Sequence, residues 1–267
     1  MLRIETDRIV FAGDWHGYLG QAMRAVQSAH KDGIKTIIHV GDFGIWSGRE
    51  GMKYLFRLNK MLEEFDMTLY FVDGNHEDFT LLYEYRIMED GTRRVRPRIF
   101  HLPRGLVFEW NDLHLLAFGG AFSVDRKSRV LGRTWWEEET ITDADIATAL
   151  ENISLAPKID IMVCHDSPTS VPNPVVDNYV SQVNAMRFFG VDAIEQATEH
   201  RKRLDAVYHA AKPALVIHGH YHEWFSGRTE YGAVVSLDEG MNPIHNAVTV
   251  LPEDVAMWRE IAAANSD

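Results

Sequence analysis

The sequence predicts an α/β fold. Three observations carry that expectation. Short β-branched runs alternate with amphipathic stretches from Ile9 to Tyr85, the period of parallel βαβ units. Five of the strand-like runs stop at a residue bearing a carboxylate, amide or imidazole. Finally, 267 residues at 46% hydrophobic content are enough to bury a sizeable core, which favours one large domain, 1–267, over two small ones.

In order, the first strand is expected over Ile9 to Ala12. Tyr18 to Lys31 then reads as a helix, with Leu19, Met23 and Val26 at helical spacing and Gly33 as its stop. Thr36 to Val40 is a buried strand ended by the turn Gly41-Asp42-Phe43-Gly44. Glu50 to Phe65 is a second amphipathic helix, Leu69 to Val72 a strand, and Asp78 to Tyr85 a short helix. Asp90 to Arg98 reads as a charged connection. Ile99 to Leu102, Leu106 to Trp110 and Leu113 to Phe118 follow at hairpin spacing and are expected to pair antiparallel, with Asn111-Asp112 as a turn.

A loop-rich insertion is expected around 119–140, then a helix from Asp143 to Leu150 capped by Thr142. Ile159 to Val163 is the next strand, and the proline-containing stretch 167–179 a loop. Glu195 to Ala211 reads as a helix, Ala214 to Ile217 as a strand, and Gly227 to Val235 and Ala247 to Leu251 as late strands.

The formal net charge of −12 leaves no bulk basic face and argues against tight binding of long nucleic acid. The one cysteine, Cys164, excludes an intramolecular disulfide. No apolar run is long enough to span a bilayer, and the N-terminus lacks the apolar block of a signal peptide. A soluble cytoplasmic protein without membrane partners is the expectation; oligomeric state is not legible.

The strand ends carry the chemistry. Asp14 and His16 follow the first strand, Asp42 the second, Asn75 and His76 the third, His165 the fourth, and His218, His220 and His222 the fifth. In open α/β sheets the C-terminal lip of the strands is where ligands bind. A single Asp or Asn there is ordinarily a turn or cap residue, but turn chemistry does not call for histidines at four of the five strand ends. Oxygen and imidazole donors without thiolate suit Mn first, with Fe or Zn as alternatives, rather than Ca.

Asp14-Trp15-His16-Gly17, Gly41-Asp42, Gly74-Asn75-His76-Glu77, His165 and Gly219-His220-Tyr221-His222 together resemble the five signature blocks of the calcineurin-like metallophosphoesterases. The resemblance implies a four-layer αββα sandwich of two mixed sheets with helices outside, and two divalent metal ions at the sheet edge. It implies that Asp14, His16 and His222 hold the first metal, that Asn75, His165 and His220 hold the second, and that Asp42 bridges them. His76 would protonate, or steady, the leaving oxygen. Two cations roughly 3.5–4 Å apart share a water, lower its pKa and neutralise phosphoryl oxygens.

The sequence departs from the family's protein phosphatases at Ile45 and Trp46, where they carry an Asp that orients the catalytic histidine and an Arg that clamps phosphate. Asp73 or Glu77 are the candidates to orient His76. Arg126, Arg129 and Arg133 are the candidate substrate clamps, since a guanidinium fork suits a phosphoryl group. His39, His101 and His114 lie on strands and are expected to be satisfied core or surface groups. His218 is expected behind the site, and Trp135-Trp136 as a buried pair.

The implied activity is metal-dependent hydrolysis of a phosphomonoester, of a protein phosphoserine or phosphothreonine or of a small phosphorylated metabolite. A phosphodiesterase acting on a nucleotide or nucleic acid is the alternative within the same chemistry. A metal-binding scaffold without turnover is the alternative from another class.

Overall fold

The structure is a computed structural model and describes residues 1–239 and 246–264. The strands are β1 (Arg3–Ile4), β2 (Ile9–Ala12), β3 (Thr36–His39), β4 (Thr68–Phe71), β5 (Arg93–Arg96), β6 (Ile99–His101), β7 (Leu106–Trp110), β8 (Leu113–Phe118), β9 (Ile161–Cys164), β10 (Leu215–His218), β11 (Phe225–Arg228), β12 (Ala233–Ser236) and β13 (Ala247–Val250). They form two mixed sheets, ordered β13-β2-β3-β4-β6-β5 and β1-β7-β8-β9-β10-β12-β11. In the first, β2, β3, β4 and β6 run parallel between two antiparallel edges. In the second, β8, β9, β10 and β12 form the parallel centre.

Side-chain alternation along each strand assigns the layers. Ile9 and Phe11 of β2, Ile38 of β3, Ile161 and Val163 of β9, and Leu215 and Ile217 of β10 share one core between the sheets. Their neighbours Val10, Ala12 and Ile37 face outward to pack with Val26, Leu55 and Leu58 of α1 (Leu19–Lys31) and α2 (Gly48–Glu64). Met162, Cys164 and Val216 pack with Ala149, Leu204 and Val207 of α4 (Asp143–Leu155) and α7 (Val191–Ala211). Sheets buried on both faces explain why β2, β3, β9 and β10 read as continuous apolar runs. The eight helices of the described residues also include α3 (Phe79–Glu84), α5 (Pro174–Asp177), α6 (Tyr179–Phe189) and α8 (Pro252–Ala263). The fold is the expected αββα sandwich, and none of its described helices is long and apolar enough to cross a membrane.

The single strand expected from Gly227 to Val235 is two strands, β11 and β12, paired antiparallel, and four further local expectations need correction. Ile99–His101 is not a hairpin partner of Leu106–Trp110; it pairs parallel with β4, and the chain crosses to the other sheet before β7, so only β7 and β8 form the antiparallel hairpin. The charged connection contains an edge strand, β5, antiparallel to β6; charge on an edge blunts unwanted pairing. The stretch 167–179 closes with α5 and leads directly into α6, which has no fully buried residue and therefore weak periodicity. Thr142 does cap α4, in a capping box with Asp145, but the helix runs on to Leu155.

Candidate metal centre

The parallel centres of both sheets end on the same side of the sandwich. The loop after β2 is laced to the loop after β3 by His16 N–H to Asp42 O (2.7 Å) and Gly17 N–H to Phe43 O (3.2 Å). The loop after β10 reaches the first sheet through the His220 N–H, which donates to the Asp14 carboxylate at 3.1 Å. The His76 N–H donates to Asp42 Oδ1 at 2.8 Å. One cleft thus collects residues from five strand ends on two sheets.

Within it, donor atoms of Asp14, His16, Asp42 and His222 all lie within 4.8 Å of one another. His16 Nε2 is 3.2 Å from His222 Nε2 and 3.8 Å from Asp42 Oδ2, and His222 Nε2 is 3.5 Å from Asp14 Oδ1. On the other side of Asp42, His165 Nε2 stands 3.4 Å from its Oδ2 and 3.2 Å from Asn75 Oδ1. The His220 ring lies beside that of His165, centroids 5.1 Å apart. Asp42 is therefore flanked by both groups of donors.

The residues present fit a pair of cations. Asp14, His16, Asp42, His220 and His222 all have positive φ, between 47° and 72°. A left-handed backbone at a non-glycine residue costs on the order of 1–3 kcal/mol and persists where something else requires it. His165 donates Nδ1–H to Val40 O at 2.9 Å, which leaves Nε2 with its lone pair toward the cleft. Asn75 donates Nδ2 to Ser123 Oγ at 2.9 Å, turning its carbonyl oxygen the same way, and Ser123 is itself held by Glu139. Burial works to raise the Asp42 carboxyl, but His165 and His76 hold it well below its ordinary value. Burial opposes a charge on His165, yet Asp42 lifts its pKa to about 10, so Nε2 draws positive charge, whether a proton or a cation that displaces it. Buried carboxylates here call for positive charge.

Close approaches make two glycines obligatory. A Cβ on Gly74 would stand 2.2 Å from Asp42 Oδ1, and one on Gly219 2.1 Å from Asp14 Oδ2. A further fixed point is Glu77, whose carboxylate accepts N–H bonds from Phe43 (2.6 Å), Gly44 (3.3 Å) and Gly74 (2.7 Å) and so ties two ligand-bearing loops together.

Neither Asp73 nor Glu77 orients the His76 ring. Asp73 is engaged by His101 at 3.0 Å and by Arg104 at 2.6 Å, and Glu77 by the three backbone donors. The ring contact is Arg129, whose Nη2 is 2.8 Å from His76 Nε2; Asp125 in turn holds Arg129 Nε at 2.9 Å. Of the three candidate arginines, Arg129 alone is brought to the cleft. Arg126 turns to Gln196 on α7 and stacks over Phe122 at 4.4 Å, and Arg133 is exposed. Trp136 is buried and donates to Thr80, whereas Trp135 is half-buried and donates to Glu139.

His218 is buried behind the centre, with Nδ1 3.0 Å from Gly219 O. Sequence reasoning missed Asp166, the residue after His165. It receives His200 Nδ1 at 2.9 Å and the Tyr221 hydroxyl at 2.5 Å, joining the His165 and His220-His222 loops to α7. An Asp between a ligand histidine and a proline-bearing loop was the only available signal.

A sandwich of this kind, with paired donor groups at the sheet ends, defines a class of metal-dependent phosphoester hydrolases. The chain belongs to the calcineurin-like phosphoesterases, whose family model matches residues 7–224. It is therefore a phosphoric ester hydrolase of that class, and the family carries a dinuclear metal centre. A dimetal phosphatase from Danio rerio is similar in structure, 12% identical with a TM-score of 0.55 over 91% of this chain and 92% of that one. The protein TT1561 of Thermus thermophilus is similar to the same degree, 12% identical with a TM-score of 0.55 over 92% of this chain and 98% of that one. At this identity both likenesses concern the fold. No curated protein matches the chain.

Proposed function

We propose that this enzyme hydrolyses phosphomonoesters, with Asp14, His16 and His222 holding one divalent cation, Asn75, His165 and His220 a second, and Asp42 shared between them. Bound there, the two cations would supply an activated water and neutralise phosphoryl charge. The oxygen and imidazole donors favour Mn, with Fe and Zn as alternatives.

The rest belongs to side chains of the chain itself. Arg129, only 11% exposed and paired with Asp125 at 2.9 Å, adds its positive charge beside the phosphoryl oxygens, and His76 steadies the charge of the leaving oxygen through its Nδ1–H. Glu77 and Asp166 keep the loops in register. The observation that carries the monoester reading is Arg129 beside His76: a monoester dianion has one more negative charge than a diester, and this guanidinium stands where that charge would lie. A buried, unpaired Cys164 supports a reducing compartment such as the cytoplasm.

The test is hydrolysis of para-nitrophenyl phosphate against its bis-ester by Mn-loaded protein. Faster cleavage of the monoester, lost in His76→Ala with metal content retained, is the expected result. Faster cleavage of the bis-ester would replace this reading with a phosphodiesterase.

A further inference from the structure

Trp46, which stands where the family's protein phosphatases carry a phosphate-clamping arginine, is not idle in this fold. It forms one wall of a cavity of about 440 Å³ that opens beside the metal centre and is lined by His16, Gly17, Tyr18, Trp46, Glu50 and Lys53 among others. His16 lines it, and the His16 ring lies 5.1 Å, centroid to centroid, from that of His76, so an ester substituent leaving beside His76 has this space within reach.

The walls are built before any ligand arrives. Trp46 precedes Ser47, the N-terminal cap of α2, and Tyr18 is the N-terminal cap of α1, so both aromatic residues stand at helix starts. The indole of Trp46 rests on Gly17, where an added Cβ would lie 3.0 Å from its Cδ1, and its carbonyl sits against Gly51, where one would lie 2.0 Å from the oxygen. The Tyr54 hydroxyl donates to Phe43 O at 3.0 Å and closes the floor. Tyr18 is 62% exposed and presents its ring to solvent. The cation at the rim, Lys53, is paired with Glu50 at 3.2 Å, so the rim balances its own charge and suits a neutral group better than a second phosphate.

Resting on the phosphomonoesterase reading above, we propose that this cavity receives a planar aromatic leaving group, so that aryl and nucleoside phosphomonoesters are preferred over aliphatic ones. Flat rings stack on aromatic walls with little dependence on their substituents. His16 and the candidate metals engage the phosphoryl end, while Trp46 and Tyr18 engage the ring.

The experiment compares Mn-loaded wild type, Trp46→Ala and Trp46→Phe on glycerol phosphate, para-nitrophenyl phosphate and adenosine 5′-monophosphate. In wild type, KM for the ring substrates is expected to be ~10-fold below that for glycerol phosphate, roughly one stacked ring. Trp46→Ala should bring that ratio close to one, and Trp46→Phe should keep it. An unchanged ratio in Trp46→Ala, or no preference in wild type, would overturn the proposal. A preference confined to one ring substrate identifies whether the ring is a nucleobase or a simple aryl group and supports the proposal either way. If wild type hydrolyses no monoester, the phosphomonoesterase reading fails separately. Equilibrium dialysis with adenosine and with para-nitrophenol then decides the cavity: ring binding lost in Trp46→Ala upholds it, and no binding to wild type overturns it.

Discussion

Arg129 Nη2 lies 2.8 Å from His76 Nε2 although 53 positions separate the two residues. A guanidinium can only donate, so Nε2 accepts and the neutral imidazole carries its proton on Nδ1. Burial holds His76 below its ordinary pKa, and Arg129 adds to that effect against the pull of Asp42. In the family's protein phosphatases an aspartate orients this histidine; here a cation stands beside it. The guanidinium is thus held by Asp125 at 2.9 Å and shared between a histidine and whatever anion enters the cleft.

Arg129→Ala is expected to lower kcat/KM for a phosphomonoester about 100-fold, the size of losing one positioned charge from a phosphoryl site. Arg129→Lys should recover part of that, since it keeps the charge but not the planar fork. Steady-state kinetics with metal content measured in parallel checks both. Activity within twofold of wild type in Arg129→Ala would make the arginine a structural partner of Asp125 only.

Gly74→Ala should cost metal affinity and stability together. The new methyl would press on Asp42 Oδ1 from 2.2 Å and on the Asp42 backbone nitrogen from 2.3 Å, displacing the residue that lies between both donor groups, and small misplacements of ligands are costly. A loss of affinity of at least about 10-fold for Mn is expected by calorimetry, with the far-ultraviolet circular dichroism retained. Wild-type affinity would show that Asp42 can shift without consequence.

The strand histidines divide in a way that pH can read. His101 meets Asp73 through Nε2 while its Nδ1 has no partner among the described residues, whereas His39 is fully buried and neither of its ring nitrogens has a partner among the described residues. Its nearest rings are Trp15, at 4.5 Å, and Phe43, at 5.4 Å. Burial pushes its pKa down to about 3, whereas an unfolded histidine titrates near ~6.5. Between these values the unfolded chain binds a proton that the folded chain refuses, so stability is fully present above the upper value and falls as pH drops toward the lower one. The His39 share of that loss is at most about 1.4 kcal/mol per pH unit. In His39→Leu, urea unfolding from pH 7 to pH 4 should show a shallower decline than in wild type. Parallel curves would assign the acid sensitivity elsewhere.

The strand ends were legible because they obey local rules. A β-branched run followed by Gly-Asp, Asn-His or His-x-His states both a strand and a donor, and apolar residues on both faces state a sheet covered on both sides. Even so, the same periodicity could not place Ile99–His101: a short apolar run does not specify which sheet it joins, and the crossing before β7 is a matter of which edge remains unpaired after β4. β5 was hidden because its alternation rests on one buried residue, Val95, among arginines. α6 was hidden because it buries no residue completely.

The sequence by itself determined the candidate donors, their order along the chain and the α/β character, since each is written in side-chain chemistry or in a period of two or 3.6 residues. Only the tertiary structure decided what surrounds those donors. Arg129 rather than Arg126 or Arg133 meets His76, Ser123 and Glu139 fix Asn75, Asp166 gathers His200 and Tyr221, and Trp46 lines a cavity where the family's protein phosphatases carry a phosphate-clamping arginine. These are contacts between loops from distant parts of the chain. Their partners are chosen by how two sheets pack, and no local pattern of residues records that choice.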